Sequence, residues 1–225
     1  MTELSESWRD RTKRRVQLRE TPTAVGKGEL RKSGETRARI LDAGINCLVS
    51  DGYPRLSLAA VAARAGMTRA SIIYHFAGRE ALLEAIVTHL FDKRLDLYWD
   101  AVREVPDDAA RIATFVEAYW HQVESDLFIA FVELIVAART DRALRQIVAP
   151  ALERFDARRR DYSHLIFSHE MRAVAGDRFE VVRDVARFLI EGMAFAAMTT
   201  RLDPGRIDGV KGFLIAQMEA AYRGK

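Results

Sequence analysis

The stretch Leu56-Ser57-Leu58-Ala59-Ala60-Val61-Ala62-Ala63-Arg64-Ala65-Gly66-Met67-Thr68-Arg69-Ala70-Ser71-Ile72-Ile73-Tyr74-His75-Phe76 decides the reading of this chain. Ser57 offers an N-cap hydroxyl, followed by the short apolar period Leu58, Val61, Ala62 and Ala65. Thr68 is a second N-cap candidate and opens Arg69–Phe76. The spacing predicts two short helices around a tight turn centred on Ala65-Gly66-Met67, which is helix-turn-helix geometry. Helices this short are marginal alone, so neighbouring segments must hold both. At about 100° per residue, Ile72 and Phe76 point toward a core. Ala70, Ser71 and Tyr74 then point outward, with Arg69, Ile73 and His75 on the flanks. The second helix of such a pair fits the DNA major groove. Arg69 can read guanine or hold a phosphate, Ser71 can reach either base, and Ala70 allows close approach. Tyr74 and His75 can bond phosphates.

Outward from this stretch, apolar residues recur at helical spacing on both sides. Ile40, Leu41, Gly44, Ile45, Leu48 and Val49 predict a helix that Asp51-Gly52 ends. Leu82, Leu83, Ile86, Val87, Leu90 and Phe91 predict a long helix from Arg79. Residues 1–32 carry nine basic against five acidic residues, with Pro22, Gly26 and Gly28 and no sustained apolar period. They are expected to form a flexible basic arm, whether for phosphates or only as a solubilising tail.

Beyond residue 91 the pattern stays helical. Ile112, Phe115, Val116, Tyr119 and Trp120 form a stripe. Leu127–Ala138 is apolar except for Glu133, so it is expected to be buried all round. Asp141 can cap the next helix, and Pro150 is expected to kink or interrupt it. Phe179–Thr199 reads as a long helix, and the last helix carries Val210, Phe213, Leu214, Met218 and Tyr222. No strand alternation or internal repeat is visible, so the fold class is all-α. The expected organisation is an arm (1–32), a helix-turn-helix domain (33–91) and a helical bundle for effector binding and dimerisation (92–225).

Composition narrows the function classes. Of 225 residues, 49% are hydrophobic and 30% charged, as in a globular protein. The lone Cys47 excludes an intramolecular disulfide and any multi-Cys zinc site. The net charge of +3 is unevenly spread. Residues 1–90 hold 15 Lys+Arg against 10 Asp+Glu, and residues 91–225 hold 20 against 22. A basic end on a near-neutral body suits a polyanion partner. No apolar run reaches the ~20 residues of a membrane helix. No apolar segment follows Met1–Glu6, so no signal peptide and a cytoplasmic location are expected.

The residues Thr36–Ala43, Asp51-Gly52-Tyr53, Leu56–Thr68 and Tyr74-His75-Phe76-Ala77-Gly78-Arg79-Glu80-Ala81-Leu82-Leu83 closely resemble the DNA-binding domain of the TetR family of bacterial transcription regulators. The resemblance covers roughly residues 34–91. It implies a homodimer on a palindromic duplex operator, recognition by the helix at 68–75, and a larger helical domain for a small-molecule effector. By position it implies a DNA-facing set of Ser57, Thr68, Arg69, Ala70, Ser71, Tyr74, His75 and Arg79. Arg79 stands where the family usually has Lys. Ile73 stands where the family usually has a phosphate-bonding Tyr and cannot donate, leaving Tyr74 next in line. Glu133–Arg145 looks like a segment found in many members. The last two helices occupy the place of the family's dimer interface, where Gly192, Ala196 and Ala197 permit close packing and Phe213, Met218 and Tyr222 supply apolar area.

Polar groups embedded in apolar helices are the effector candidates. Glu133 needs a partner, for which Arg187, itself i,i+4 to Glu191, is available. Trp120, His121, Phe131, His164, Phe167, Met193 and Met198 could line a cavity; each could equally be ordinary core. His121, His164 and His169 have no carboxylate or Cys at ligand spacing, so no metal and no cofactor is expected. Arg158-Arg159-Arg160 reads as a solvated face. An all-α enzyme built on His121, His164 or Glu133 lacks any nucleophile–base or phosphate-loop motif. A helical adaptor without DNA binding is the other rival. The reading is a ligand-responsive repressor, not an enzyme.

Overall fold

The computed structural model describes residues 27–106 and 111–223. The expected arm therefore lies outside the described residues up to position 26. Among the described residues the regular structure is helical, with no strand. The ten α-helices are α1 (Lys27–Asp51), α2 (Leu58–Ala65), α3 (Arg69–His75), α4 (Arg79–Val102), α5 (Arg111–Val123), α6 (Asp126–Ala138), α7 (Arg142–Ile166), α8 (His169–Ala175), α9 (Arg178–Ala197) and α10 (Pro204–Arg223). A 3₁₀ turn at Tyr53–Arg55 joins α1 to α2.

The chain divides into two compact units at Ala38 and Arg39. In the first, helix begins at Lys27, where composition suggested irregular chain through residue 32. Glu29, Leu30, Arg31 and Lys32 are good helix formers, and an exposed Arg31–Glu35 pair at 2.9 Å spans one turn.

In the second unit α1 and α4 cross closely. Asp42 on α1 accepts from His89 Nε2 at 2.9 Å and from Lys93 Nζ at 2.8 Å on α4. Partial burial works against ionising Asp42, but these two partners hold its carboxyl below the usual range. A Cβ on Gly44 would lie 2.3 Å from Cδ1 and 2.7 Å from Cγ1 of Ile86, which is fully buried. Gly44→Ala gains about 1 kcal/mol of helix propensity but overpacks the crossing at a cost of about 1–3 kcal/mol. A net loss is therefore expected in thermal or urea denaturation. The loss should shrink in an Ile86→Val background, where the closest atom is gone; a stabilised Gly44→Ala would show that the crossing is looser than this.

The second half of α4 packs on α5, α6 and α7, and α10 packs on α5, α8 and α9. Arg94 of α4 is fully buried. Its Cζ lies 4.0 Å from the Phe131 ring centroid and just over 5 Å from those of Phe128 and Phe155. Arg94 Nη2 donates to Gln122 Oε1 at 3.2 Å, and Gln122 Nε2 donates to the Arg94 carbonyl at 3.0 Å. Asp141 caps α7 through the Leu144 amide, as expected. Pro150 does not interrupt α7. It lies on the exposed side of the helix, so the carbonyl of Gln146 that loses its partner faces water. The helix α8, capped by Ser168, was not visible as a separate period.

Candidate nucleic-acid interface and effector cavity

Ser57 Oγ accepts from the Ala60 amide at 3.1 Å and caps α2. Gly66, with φ 65° and ψ 38°, ends it, and the Met67 amide donates to the Ala62 carbonyl at 2.9 Å. Thr68 Oγ1 accepts from the Ser71 amide at 3.1 Å and caps α3. The turn between the two helices is thus fixed by the left-handed Gly66 and the Thr68 cap, while Ser57 caps the far end of α2. Arg64 ties α2 back to α1, donating to the Asn46 carbonyl, Ser50 Oγ and Asp51 Oδ2 at 2.8–2.9 Å.

Within α3, Ile72 is fully buried, and Phe76 beyond its end is buried too. Tyr74 is 85% exposed, and Arg69, Ala70 and Ile73 are exposed. Ser71 and His75 are half-buried. The Tyr74 and His75 rings meet edge-on at 5.2 Å. The helical-wheel reading of α3 therefore agrees with the structure. Arg79, at the start of α4, is exposed but already engaged on one side. Its Nε donates to the Leu56 carbonyl at 3.4 Å, and its Cζ sits 5.5 Å from the Tyr53 ring centroid.

Glu133 is not a cavity carboxylate. Its Oε1 accepts from the Tyr53 amide at 2.8 Å, so the partner is the turn after α1 and not Arg187. Tyr53 is buried, and its hydroxyl donates to Asp141 Oδ2 at 2.9 Å. Gly52, at φ 76°, lies against the same carboxylate, which is 3.0 Å from where a Cβ would stand. Tyr53 thereby joins the α1–α2 connection to α6 and to the start of α7.

A partly open cavity lies instead among α4, α5, α7, α9 and α10. Leu95, Phe115 and Ile190 form apolar walls, Tyr98 and Tyr119 are at its side, and Arg159, Arg183 and Arg187 face it. Of Glu133, Trp120, His121, Phe131, His164, Phe167, Met193 and Met198, the effector candidates read from sequence, only Phe167 lines this cavity. Trp120 is buried beneath Lys211 Nζ, 5.9 Å away. His121 is exposed, and His164 pairs with Glu180 at 3.5 Å. Phe131 packs on Arg94 and, with Phe188, Gly192 and Phe195, lines a separate groove between α6 and α9. Met193 lines neither. Among the described residues, no group of three His, Cys, Asp or Glu side chains could hold a metal ion.

The arginines were not read together as a site: Arg159 looked like part of a solvated face, Arg187 was marked only as a partner for Glu191 or Glu133, and Arg183 was not singled out. Arg159 is not a solvated residue; its side chain is mostly buried, with Asp156 and Asp184 beside it. A signal was present on α9. Arg183, Ala186, Arg187 and Ile190 follow i, i+3, i+4, i+7 spacing, so two arginines occupy core positions of an amphipathic helix. Arg187 pairs with Glu191 at 3.2 Å, as the spacing suggested, and with Asp156 at 2.9 Å.

The expected all-round burial of α6 is also corrected: Val136 and Ile129 are exposed. Val136 borders the α6–α9 groove, whose rim continues into Val181, Val185, Phe188 and Phe195 on α9, all exposed. Phe213 on α10 is exposed likewise. Met218 and Tyr222 are instead internal, and the Tyr222 ring packs 5.0 Å from Phe167 and 5.5 Å from Phe179. Among the described residues, no helix is long and apolar enough to cross a membrane.

Residues 40–86 match the family model for bacterial regulatory proteins of the tetR family. An uncharacterized HTH-type transcriptional regulator of Mycobacterium tuberculosis is 28% identical over 127 residues, 56% of this chain and 65% of its own length. This chain thus spans just under two thirds of that relative. A TetR-family transcriptional regulator from Mesorhizobium loti superposes with a TM-score of 0.63 at 17% identity, covering 84% of this chain and 98% of its own. One from Rhodococcus sp. superposes with a TM-score of 0.58 at 21% identity, covering 84% and 99%. The fold is shared along most of the chain, and residues 40–86 carry a helix-turn-helix unit that matches the tetR family of bacterial regulatory proteins.

Proposed function

We propose that the chain is a cytoplasmic, effector-responsive transcription repressor that binds a palindromic duplex operator as a homodimer. Residues 33–91 are the DNA-reading domain, and residues 92–225 bind the effector and form the dimer. The observation that carries the reading is α3: it buries Ile72 and Phe76 and presents Arg69, Ala70 and Tyr74 outward after a turn ended by Gly66 and capped by Thr68. Arg69 reads a base or the phosphate beside it, Ala70 admits the backbone, and Ser71, Tyr74 and His75 bond phosphate or base edges. Ser57 and Thr68 present the helix N-termini to phosphates. Arg79 keeps guanidinium nitrogens for a phosphate beyond its bond to Leu56.

Two copies of α3 must meet half-sites ~34–36 Å apart. An effector that prefers a conformer with another spacing releases DNA by population shift, and a near-complete switch takes about 5.5 kcal/mol of preference. The test is selection of bound fragments from random duplex DNA, which should return an inverted repeat. On that operator, Arg69→Ala should cost about 1–3 kcal/mol and relax one position, while Arg79→Ala should weaken all sequences alike and lower the salt slope by about one unit. Selection without an enriched motif, or unchanged binding by both variants, would remove the assignment.

A further inference from the structure

We infer that the cavity among α4, α5, α7, α9 and α10 takes a small amphipathic carboxylate, its head held by Arg159 and Arg183 and its apolar body against Leu95, Phe115 and Ile190. The inference rests on reading residues 92–225 as an effector domain. Three guanidinium groups line the cavity and no carboxylate does. The acids stand behind the arginines and aim them. Arg183 donates from Nε and Nη2 to Asp184 Oδ1 at 3.2 and 3.0 Å, and Nη2 also contacts Glu180. Arg159 Nη2 donates to the same Asp184 oxygen at 3.4 Å. Both guanidiniums thus converge on one atom, so one small anion can span them. Arg187 is engaged by Glu191 and Asp156 and braces the wall.

Donors are left over after this pairing. Arg183 Nη1 is buried without a hydrogen-bond partner. Arg159 Nε is buried likewise, and its nearest carboxylate oxygen, on Asp156, is 3.7 Å away and beyond hydrogen-bond reach. Unmade bonds of buried donors are costly, and a carboxylate accepts from paired guanidinium N–H groups with good geometry. A cation would meet three guanidiniums at close range, and a neutral ligand offers weaker acceptors. Burial pushes the Tyr98 and Tyr119 phenols well above their ordinary range, so both remain protonated, and Tyr119 donates to Glu191 at 2.8 Å. Neither phenol adds a negative charge to compete with the ligand.

Size shapes the consequence. The cavity volume is about 70 Å³. That is well below the ~150 Å³ that accommodates benzene. The cavity is open on one side, so an occupant with more than a few heavy atoms either extends through the mouth or pushes lining side chains aside, and only the second changes the body's shape.

The test uses the full chain at fixed ionic strength and two matched sets: benzoate, benzamide and benzylamine, and octanoate, octanamide and octylamine. Binding is read by equilibrium dialysis and by the shift in melting temperature. In at least one set the carboxylate should bind about tenfold or more tighter than its amide and tighter still than its amine. Arg183→Gln and Arg159→Gln should each weaken carboxylate binding about tenfold while leaving amide binding within about twofold. Should Arg183→Gln fail to melt cooperatively, Arg159→Gln decides. Amide or amine binding as tight as the carboxylate, no binding by either carboxylate, or unchanged carboxylate binding in the folded variants would overturn the inference. Because binding is read without DNA, the regulator reading fails separately. Carboxylate binding that leaves operator affinity unchanged supports the ligand class and removes its effector role. Operator release by an amine or amide with no carboxylate binding keeps the regulator and removes this ligand class.

Discussion

Phe188→Glu and Phe195→Glu should each yield a monomer whose operator affinity is lower by about 10²-fold or more, the avidity lost when one of two linked half-site contacts goes. The expectation comes from α9. Val181, Val185, Phe188, Gly192 and Phe195 are spaced four, three, four and three residues apart, all exposed. That spacing is the seam by which one helix packs along another. A Cβ on Gly192 would meet nothing within 4 Å, so no part of the same chain covers the seam at its centre. On α10, Gly209, Phe213, Ala216 and Ala220 repeat the pattern at four, three and four, and these too are exposed. Two apolar seams on adjacent helices are what a four-helix interface between two copies requires.

In a two-fold interface each substitution occurs twice, so two unpaired carboxylates would be buried at the interface core. Because Phe188 and Phe195 are 64% and 55% exposed in the single chain, the charge should leave the monomer's own fold intact. Light scattering and an operator titration on the same samples read both effects. A dimer that survives both substitutions would place the interface elsewhere.

The interface shows how far the sequence could be read. The family resemblance put the proposed interface on α9 and α10, but periodicity did not show which of their stripes faces inward. Met218 and Tyr222 looked as suitable for an interface as Phe213; both are buried within the chain, and Phe167 and Phe179 reach Tyr222 from elsewhere in it. The helix-turn-helix was legible because its determinants are local. Ser57, Gly66 and Thr68 act within four residues of themselves, and Ile72 and Phe76 lie one helical turn apart. The cavity was not legible because its polar wall is assembled from α7 and α9, where Arg159 and Arg183 meet across one Asp184 oxygen. Only the core-face position of Arg183 and Arg187 hinted at it. Glu133 was correctly marked as a carboxylate in need of a partner, but that partner is a backbone amide 80 positions away, which no side-chain pattern reveals.

Glu133→Ala is expected to loosen the DNA-reading domain while leaving the helical body firm. The substitution removes the acceptor of the Tyr53 amide, and a part-buried donor without a partner costs about 1–3 kcal/mol. Glu133→Gln keeps a side-chain oxygen at the same reach and should stay close to the parent protein. The loss is local because the bond joins the turn after α1 to α6, with the Tyr53–Asp141 bond beside it and Arg79 across the Tyr53 ring. Amide exchange should therefore rise roughly 5–150-fold across α1–α3, the factor that 1–3 kcal/mol represents. Exchange in α7 and α9 should change little. The same contact joins the recognition unit to the cavity-bearing body, so an effector that shifts α6 must strain or release it. Coupling between two sites is reciprocal. In Glu133→Ala the effector should accordingly change operator affinity less, and operator should change effector affinity less by the same factor. Equal behaviour of the Ala and Gln variants, or a rise in exchange spread evenly over the chain, would show that the Glu133–Tyr53 bond is not what links the two.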